Sequence, residues 1–262
     1  MKKSCIILIA GCVCAAAGSS AQSRDADRGR KVLDQAIQAL GGPAYLAVRD
    51  YHGEGRGFSF SRFEEISSMS PIVNYERYPD KSRQEQGKKH EVLFVLNGDK
   101  AWDANFRGVA PVPEAEVARV LLGRKLSVDR ILRFRMNEPG LEITYAGADF
   151  VDGRPVDKVD VFDRDGDLVT ISFDQQTHLP LRREWERKLP NREREQNVET
   201  LGKFSPAKNS SVLFPYYVRR ERNGIKIFEL FLGEIGVNGR TSDALFERPT
   251  GKERIDVPSR KR

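Results

Sequence analysis

Val156-Asp-Lys-Val159-Asp-Val161-Phe162-Asp163, then Arg164-Asp165-Gly166-Asp167, then Leu168-Val169-Thr-Ile171-Ser-Phe173-Asp174: apolar and polar residues alternate on both sides of a turn. A two-residue period puts one face of each strand inward and the other in water. A three-residue loop, Arg164-Asp165-Gly166, with Gly166 in the left-handed conformation, sets Val161 opposite Val169 and Val159 opposite Ile171. A two-residue turn would place Asp160 opposite Ile171 and mix the faces, so the first register is preferred. A turn over 174–180 leads to a third run, Leu181-Arg-Arg-Glu-Trp185. The stretch is a twisted antiparallel meander, and the rest of the chain reads as more of it with helical pieces.

At 262 residues the chain suits one large domain or two small ones. Lys2-Lys3 and an apolar stretch from Cys5 to Ala17, closed by Ser19-Ser20-Ala21, form an export signal spanning 1–21. That stretch is too short to span a bilayer. All three cysteines (Cys5, Cys12, Cys14) lie inside it, so cleavage after Ala21 leaves a domain that relies on its core. Ile9-Ala10-Gly11-Cys12 also has the form of a bacterial lipobox, which makes Cys12 a candidate lipidation site and leaves a soluble and an anchored product both open. The net charge of +6 is unevenly placed: Lys2 and Lys3 supply two charges, and the basic tail 252–262, expected to be disordered, supplies three. A nearly neutral body gives little steering toward nucleic acid.

Along the chain, Val32, Leu33, Ala36, Ile37 and Leu40 make one helical stripe over Asp25 to Leu40, stopped by Gly41-Gly42-Pro43. Asp50 to Arg62 is a strand with glycine at 53, 55 and 57, which suits a sharp bend. A polar strand pair follows over Asn74 to Glu85, then an apolar strand ending Val92-Leu-Phe-Val-Leu96, then Ala101 to Phe106. Pro113 opens a helical region, and Ser127 caps a second piece carrying Val128, Ile131, Leu132 and Phe134. From Leu141 the chain is sheet again. Arg182 to Gln196 reads as a solvated, charged hairpin face, and Asn223-Gly224 as a tight turn setting Glu221 across from Lys226 and Tyr217 across from Leu230. The fold class expected is mainly β with helices (α+β): an incomplete antiparallel β-barrel, or half-barrel, over 22–251 with a helical lid.

Ala39-Leu40-Gly41-Gly42 after an export signal, Asn97-Gly98-Asp99-Lys100 after an apolar strand, and Val151-Asp-Gly-Arg-Pro155 leading through Phe173-Asp174 and Leu179-Pro180-Leu181-Arg182 to Asp243-Ala-Leu-Phe246 together carry a family likeness. Over Asp25 to Pro249 the chain resembles the lipoprotein-carrier (LolA-like) superfamily of outer-membrane lipoprotein-sorting proteins. The resemblance implies a non-enzymatic, monomeric, periplasmic protein whose half-barrel shields lipid or lipoprotein acyl chains. The alternative is an accessory or sensor module that binds another envelope protein through the same scaffold. The cavity wall expected is Val92, Phe94, Trp102, Val159, Val161, Ile171, Phe173, Tyr216 and Phe231, with Ile131, Leu132 and Phe134 from the lid. Each buried methylene of a guest would contribute about 0.8 kcal/mol.

Chemistry is sparse. His52, His90 and His178 have no metal-ligand spacing, and no nucleophile elbow or phosphate loop is present, so neither catalytic residue nor cofactor is expected. Gly53-x-Gly55-x-Gly57 precedes a strand rather than a helix and is no dinucleotide fingerprint. Asp163, Asp165 and Asp167 meet at the meander's first turn. Without the rest of a calcium loop they read as a hydrated hairpin tip.

Overall fold

A computed structural model describes residues 16–239 and 241–250. The expected export signal, with Cys12, and the basic tail lie wholly or mostly outside the described residues. Helix α1 (Ala16–Leu40) and the short α2 (Pro43–Leu46) precede six strands: β1 (Asp50–Phe60), β2 (Ile66–Arg77), β3 (Lys81–Gln86), β4 (Val92–Asn97), β5 (Lys100–Asn105) and β6 (Gly108–Pro111). Next come α3 (Glu114–Lys125) and α4 (Val128–Arg130), which runs on as a π-helical turn, Ile131–Arg135. Seven strands complete the sheet: β7 (Glu142–Val151), β8 (Arg154–Phe162), β9 (Leu168–Asp174), β10 (Pro180–Lys188), β11 (Arg194–Pro206), β12 (Leu213–Arg222) and β13 (Ile225–Val237). A 3-10 turn, Asp243–Phe246, follows.

All thirteen strands form one antiparallel sheet in the order β6-β5-β4-β3-β2-β1-β13-β12-β11-β10-β9-β8-β7. The chain runs outward to β6, crosses through the helices to the far edge at β7, and meanders back until β13 pairs with β1. The two edges do not meet, so the sheet is an incomplete barrel.

The register at the opening stretch is the one its pattern dictates: Val161 pairs with Val169 and Val159 with Ile171. Gly166 sits at φ 83°. These four residues are buried beneath Leu33, Ala36 and Ile37 of α1, so the helix stripe and the meander's apolar face cover one another. Asn223 and Gly224 both take positive φ, as the tight hairpin needs, and Glu221 pairs with Lys226. One pairing is corrected. A bulge between Arg220 and Glu221 shifts the ladder, so Tyr217 faces Phe231 and Leu230 faces Val218. The bulge puts an extra residue on one strand and changes which side chains are partners beyond it.

On β1, Gly53, Gly55 and Gly57 share the concave face. A Cβ at Gly53 would meet Leu232 and Ile235, one at Gly55 the Phe231 carbonyl, and one at Gly57 the Ile72 side chain. The glycines therefore let neighbouring atoms approach the strand closely, and its pairing with β13 is offset at Glu54/Gly55. On the convex face the 3-10 turn covers β3 and β4. Phe246 is fully buried there, and Arg83 Nη1 donates to the Leu245 carbonyl at 3.1 Å.

Candidate functional site

The helices do not fill the concave side. A cavity of about 640 Å³ remains between them and the sheet, lined by strands on both sides of the β1–β13 seam. Its apolar wall includes Leu201, Phe204, Phe214, Val218, Leu230 and Leu232, opposite Val92 and Phe94 on β4.

Helix α3 has no fully buried residue. Val117, Val120 and Leu121 rest on Leu96, Ala101 and Val112, which fixes one side of the helix over β4 and β5. Its far end is pinned by charge. Arg124 Nη2 lies 2.5 Å from Glu76 Oε2 on β2, and Arg183 Nη1 on β10 donates to the Gly123 carbonyl at 2.7 Å. Lys125 Nζ reaches Asp163, Asp165 and Asp167 at 2.8, 2.5 and 2.8 Å. Among the described residues that trio is the one group with the geometry to hold a metal ion, and the ammonium of Lys125 stands where the cation would. Burial disfavours the charge on Asp163, but Lys125 and Arg135 outweigh it and hold the carboxyl below the usual range. The hairpin tip is thus an ion-paired anchor for the lid.

The second lid piece is anchored through tyrosines. Asp129 accepts from Tyr45 Oη at 2.6 Å and from Tyr78 Oη at 2.7 Å. Arg133 stacks 3.7 Å from the Tyr45 ring centre and donates to the Tyr45 carbonyl. Burial raises both phenols well above their ordinary range, so they remain donors.

The cavity's remaining wall is charged. Arg183, Trp185 and Arg187 alternate down the inner face of β10, and Glu199 and Glu195 stand opposite on β11. Arg183 stacks 4.4 Å from the Trp185 ring centre. Glu199 accepts from Arg183 Nε and Arg220 Nε, each at 2.8 Å. Burial opposes ionisation of Glu199, yet the two guanidiniums outweigh it and bring the carboxyl down to about 2. At Glu76 the balance falls the other way. Burial pushes its carboxyl up to about 7 despite Arg124.

The residues expected at the cavity wall are dispersed. Val92 and Phe94 line it. Ile131, Leu132, Val159, Val161, Ile171 and Phe173 come together instead in the packed core with α1, because the helix covers that part of the concave face. Tyr216 packs against the same core, its hydroxyl donating to the Pro206 carbonyl at 3.0 Å. Trp102 sits beside Val95, which is directed away from the cavity, and Phe231 packs against Phe58 and Tyr217 on the outer face. Phe134 is 46% exposed. In the sequence the charged wall shows only as Arg183 and Trp185 two residues apart; Leu181 lies across a bulge at Pro180/Arg182 and packs with Val151 and Val156 instead. The run 182–196 is therefore only half solvated: Arg183 and Glu195 are buried, along with Glu199 just beyond it, because each has an ionic partner across the strand.

Among solved structures, a DUF1329 family protein from Desulfovibrio piger superposes with a TM-score of 0.61 at 13% identity, over 85% of this chain and 97% of that one. An outer membrane lipoprotein-sorting protein domain from Vibrio parahaemolyticus gives 0.57 at 10%, over 85% and 97%. A LolA superfamily protein from Nitrosomonas europaea gives 0.53 at 10%, over 84% and 97%. The fold is LolA-like. No family model and no curated protein matches the sequence. At such low identities the LolA-like likeness is one of backbone course, so what fills the cavity rests on this chain's own side chains.

Proposed function

We propose that this LolA-like protein is an exported, non-enzymatic carrier that shields lipid or lipoprotein acyl chains inside its half-barrel. The observation that carries the reading is the cavity itself: about 640 Å³ between lid and sheet, with an apolar wall of Leu201, Val218, Leu230 and Leu232. That volume falls within the range of small-molecule sites, and apolar walls of this kind favour a hydrocarbon over water. The lid's polar anchors, Lys125 to the Asp163 turn and Arg124 to Glu76, can exchange partners with water and let α3 lift. No helix among the described residues is long and apolar enough to cross a membrane. The periplasm is the compartment that the export signal over 1–21 implies.

The test is to express the full chain, purify it without detergent, extract it with organic solvent and identify what is released by mass spectrometry. A stoichiometric acyl species supports the carrier. A well-folded protein that releases none overturns it and favours the envelope protein-binding module. A radioactive fatty acid incorporated into wild type but not into Cys12→Ser would assign the anchored form; equal absence from both would assign the free one.

A further inference from the structure

The cavity is apolar along only part of its wall. Toward the tips of β10, β11 and β12 the lining becomes a ladder of ion pairs. In the first rank Arg183, Glu199 and Arg220 stand directly opposite one another on three neighbouring strands. In the next, Glu195 accepts from Arg187 Nε and Nη2 at 3.1 and 3.2 Å, and Arg222 Nε lies 3.4 Å from the same carboxylate. Each rank sets two guanidiniums on one carboxylate, so each carries one surplus positive charge. Helix α3 contributes Arg119 and Glu116, which pair with each other, and Asp103 and Glu221 line the wall as well, so the surplus belongs to these two ranks.

The surplus is accessible. Arg220 and Arg222 both line the cavity, with side chains 51% and 37% exposed, while their strand-mates Arg183 and Arg187 keep the carboxylates occupied. Beside them Arg124 Nη1 is buried and has no acceptor among the described residues. Guanidinium donors fixed in a concave, partly desolvated site bind oxyanions more strongly than the same groups in open water. The apolar wall begins one rank further along β12 at Val218 and continues to its partner Leu230 on β13.

We propose that the cavity takes an amphiphile with an anionic oxygen-acid head, phosphate or carboxylate, held by Arg220 and Arg222 while its chain lies along Val218 and Leu230. The inference rests on the carrier reading and names the class of guest. The test is calorimetric binding of four probes, each below its micelle or solubility limit, to the full chain: dodecyl phosphate, dodecanoate, dodecanol and dodecyltrimethylammonium. The anionic probes should bind roughly tenfold tighter than dodecanol, the worth of one net charge-assisted contact. The relative affinities of phosphate and carboxylate name the head group. In the doubly substituted Arg220→Gln, Arg222→Gln protein each glutamate keeps one arginine, and the ratio of anionic to neutral affinity should fall to about one. If that variant does not fold, added salt serves instead: it should weaken anionic binding to wild type and leave dodecanol unaffected. Equal affinity for anionic and neutral probes, or a preference that survives the double substitution, overturns the proposal. Failure of all four probes to bind overturns the carrier reading itself.

Discussion

Glu199 is a carboxylate placed where burial alone would neutralise it, and two arginines keep it charged. Its folded-state value, about 2, lies below the ordinary 4.5, so its contribution to stability is present above about pH 4.5 and is lost as pH falls toward 2. Glu199→Gln leaves Arg183, with a side chain only 7% exposed, without its ionic partner. Chemical denaturation at neutral pH should register a loss of about 3–5 kcal/mol, and the wild-type advantage should shrink on acidification. An unchanged midpoint would mean the pair is solvated. Gly55 makes a different demand. A Cβ there points into the Phe231 backbone carbonyl, which cannot step aside, so Gly55→Ala should cost about 1–3 kcal/mol in the same assay. Both residues were partly legible in the sequence. The alternating glycines of β1 suit a sharp bend by sequence, whereas the close approach of the Phe231 backbone to Gly55 depends on a partner strand they do not name. Arg183 shares a face with Trp185, yet the charge density of the run around it hid that face, because a buried arginine needs a partner that only the β10–β11 register supplies.

At the scale of elements, two polar anchors of helix α3 answer to different variables. Lys125 occupies the Asp163, Asp165, Asp167 turn. Lys125→Ala leaves three carboxylates facing each other, so the variant should melt lower than wild type in chelator and gain thermal stability with added calcium, while wild type should not respond. A calcium response in wild type would contradict the ammonium's placement. Glu76 and Arg124 join α3 to β2. The Glu76 carboxyl, raised to about 7, contributes stability that is complete below about pH 4.5 and is lost as pH rises through 7. The difference in stability between wild type and Glu76→Gln should therefore shift against wild type from about pH 5 to 8. A difference flat with pH would place the carboxyl in its ordinary range. The β8–β9 register was readable, because a slip there would have exposed Val159, Val161, Val169 and Ile171 together. The β12–β13 bulge was not, since an extra residue after a well-formed Asn223-Gly224 turn leaves no mark in local alternation.

For the whole molecule, the hairpin-linked runs followed from the pattern of turns and helix α1 from its stripe, while the pairing of β1 with β13 at the middle of the sheet did not. What the chain could not announce is how much of the concave face α1 covers. Six of the residues expected around a guest instead make the core under that helix, and the cavity opens further along, where β10–β12 bring arginines beside leucines. Apolar alternation marks a face as inward; it does not distinguish a face covered by the chain's own helix from one left open. The central claim, that an acyl guest lies on this concave wall, is tested most directly by photolabelling. The full chain is incubated with a fatty acid carrying a diazirine along its chain, irradiated, digested and mapped by peptide mass spectrometry. Adducts should fall on β11–β13, around Leu201, Val218 and Leu230, and should be competed away by unlabelled fatty acid. Adducts confined to the outer face around Phe58 and Phe231, or labelling that unlabelled fatty acid does not reduce, would contradict it.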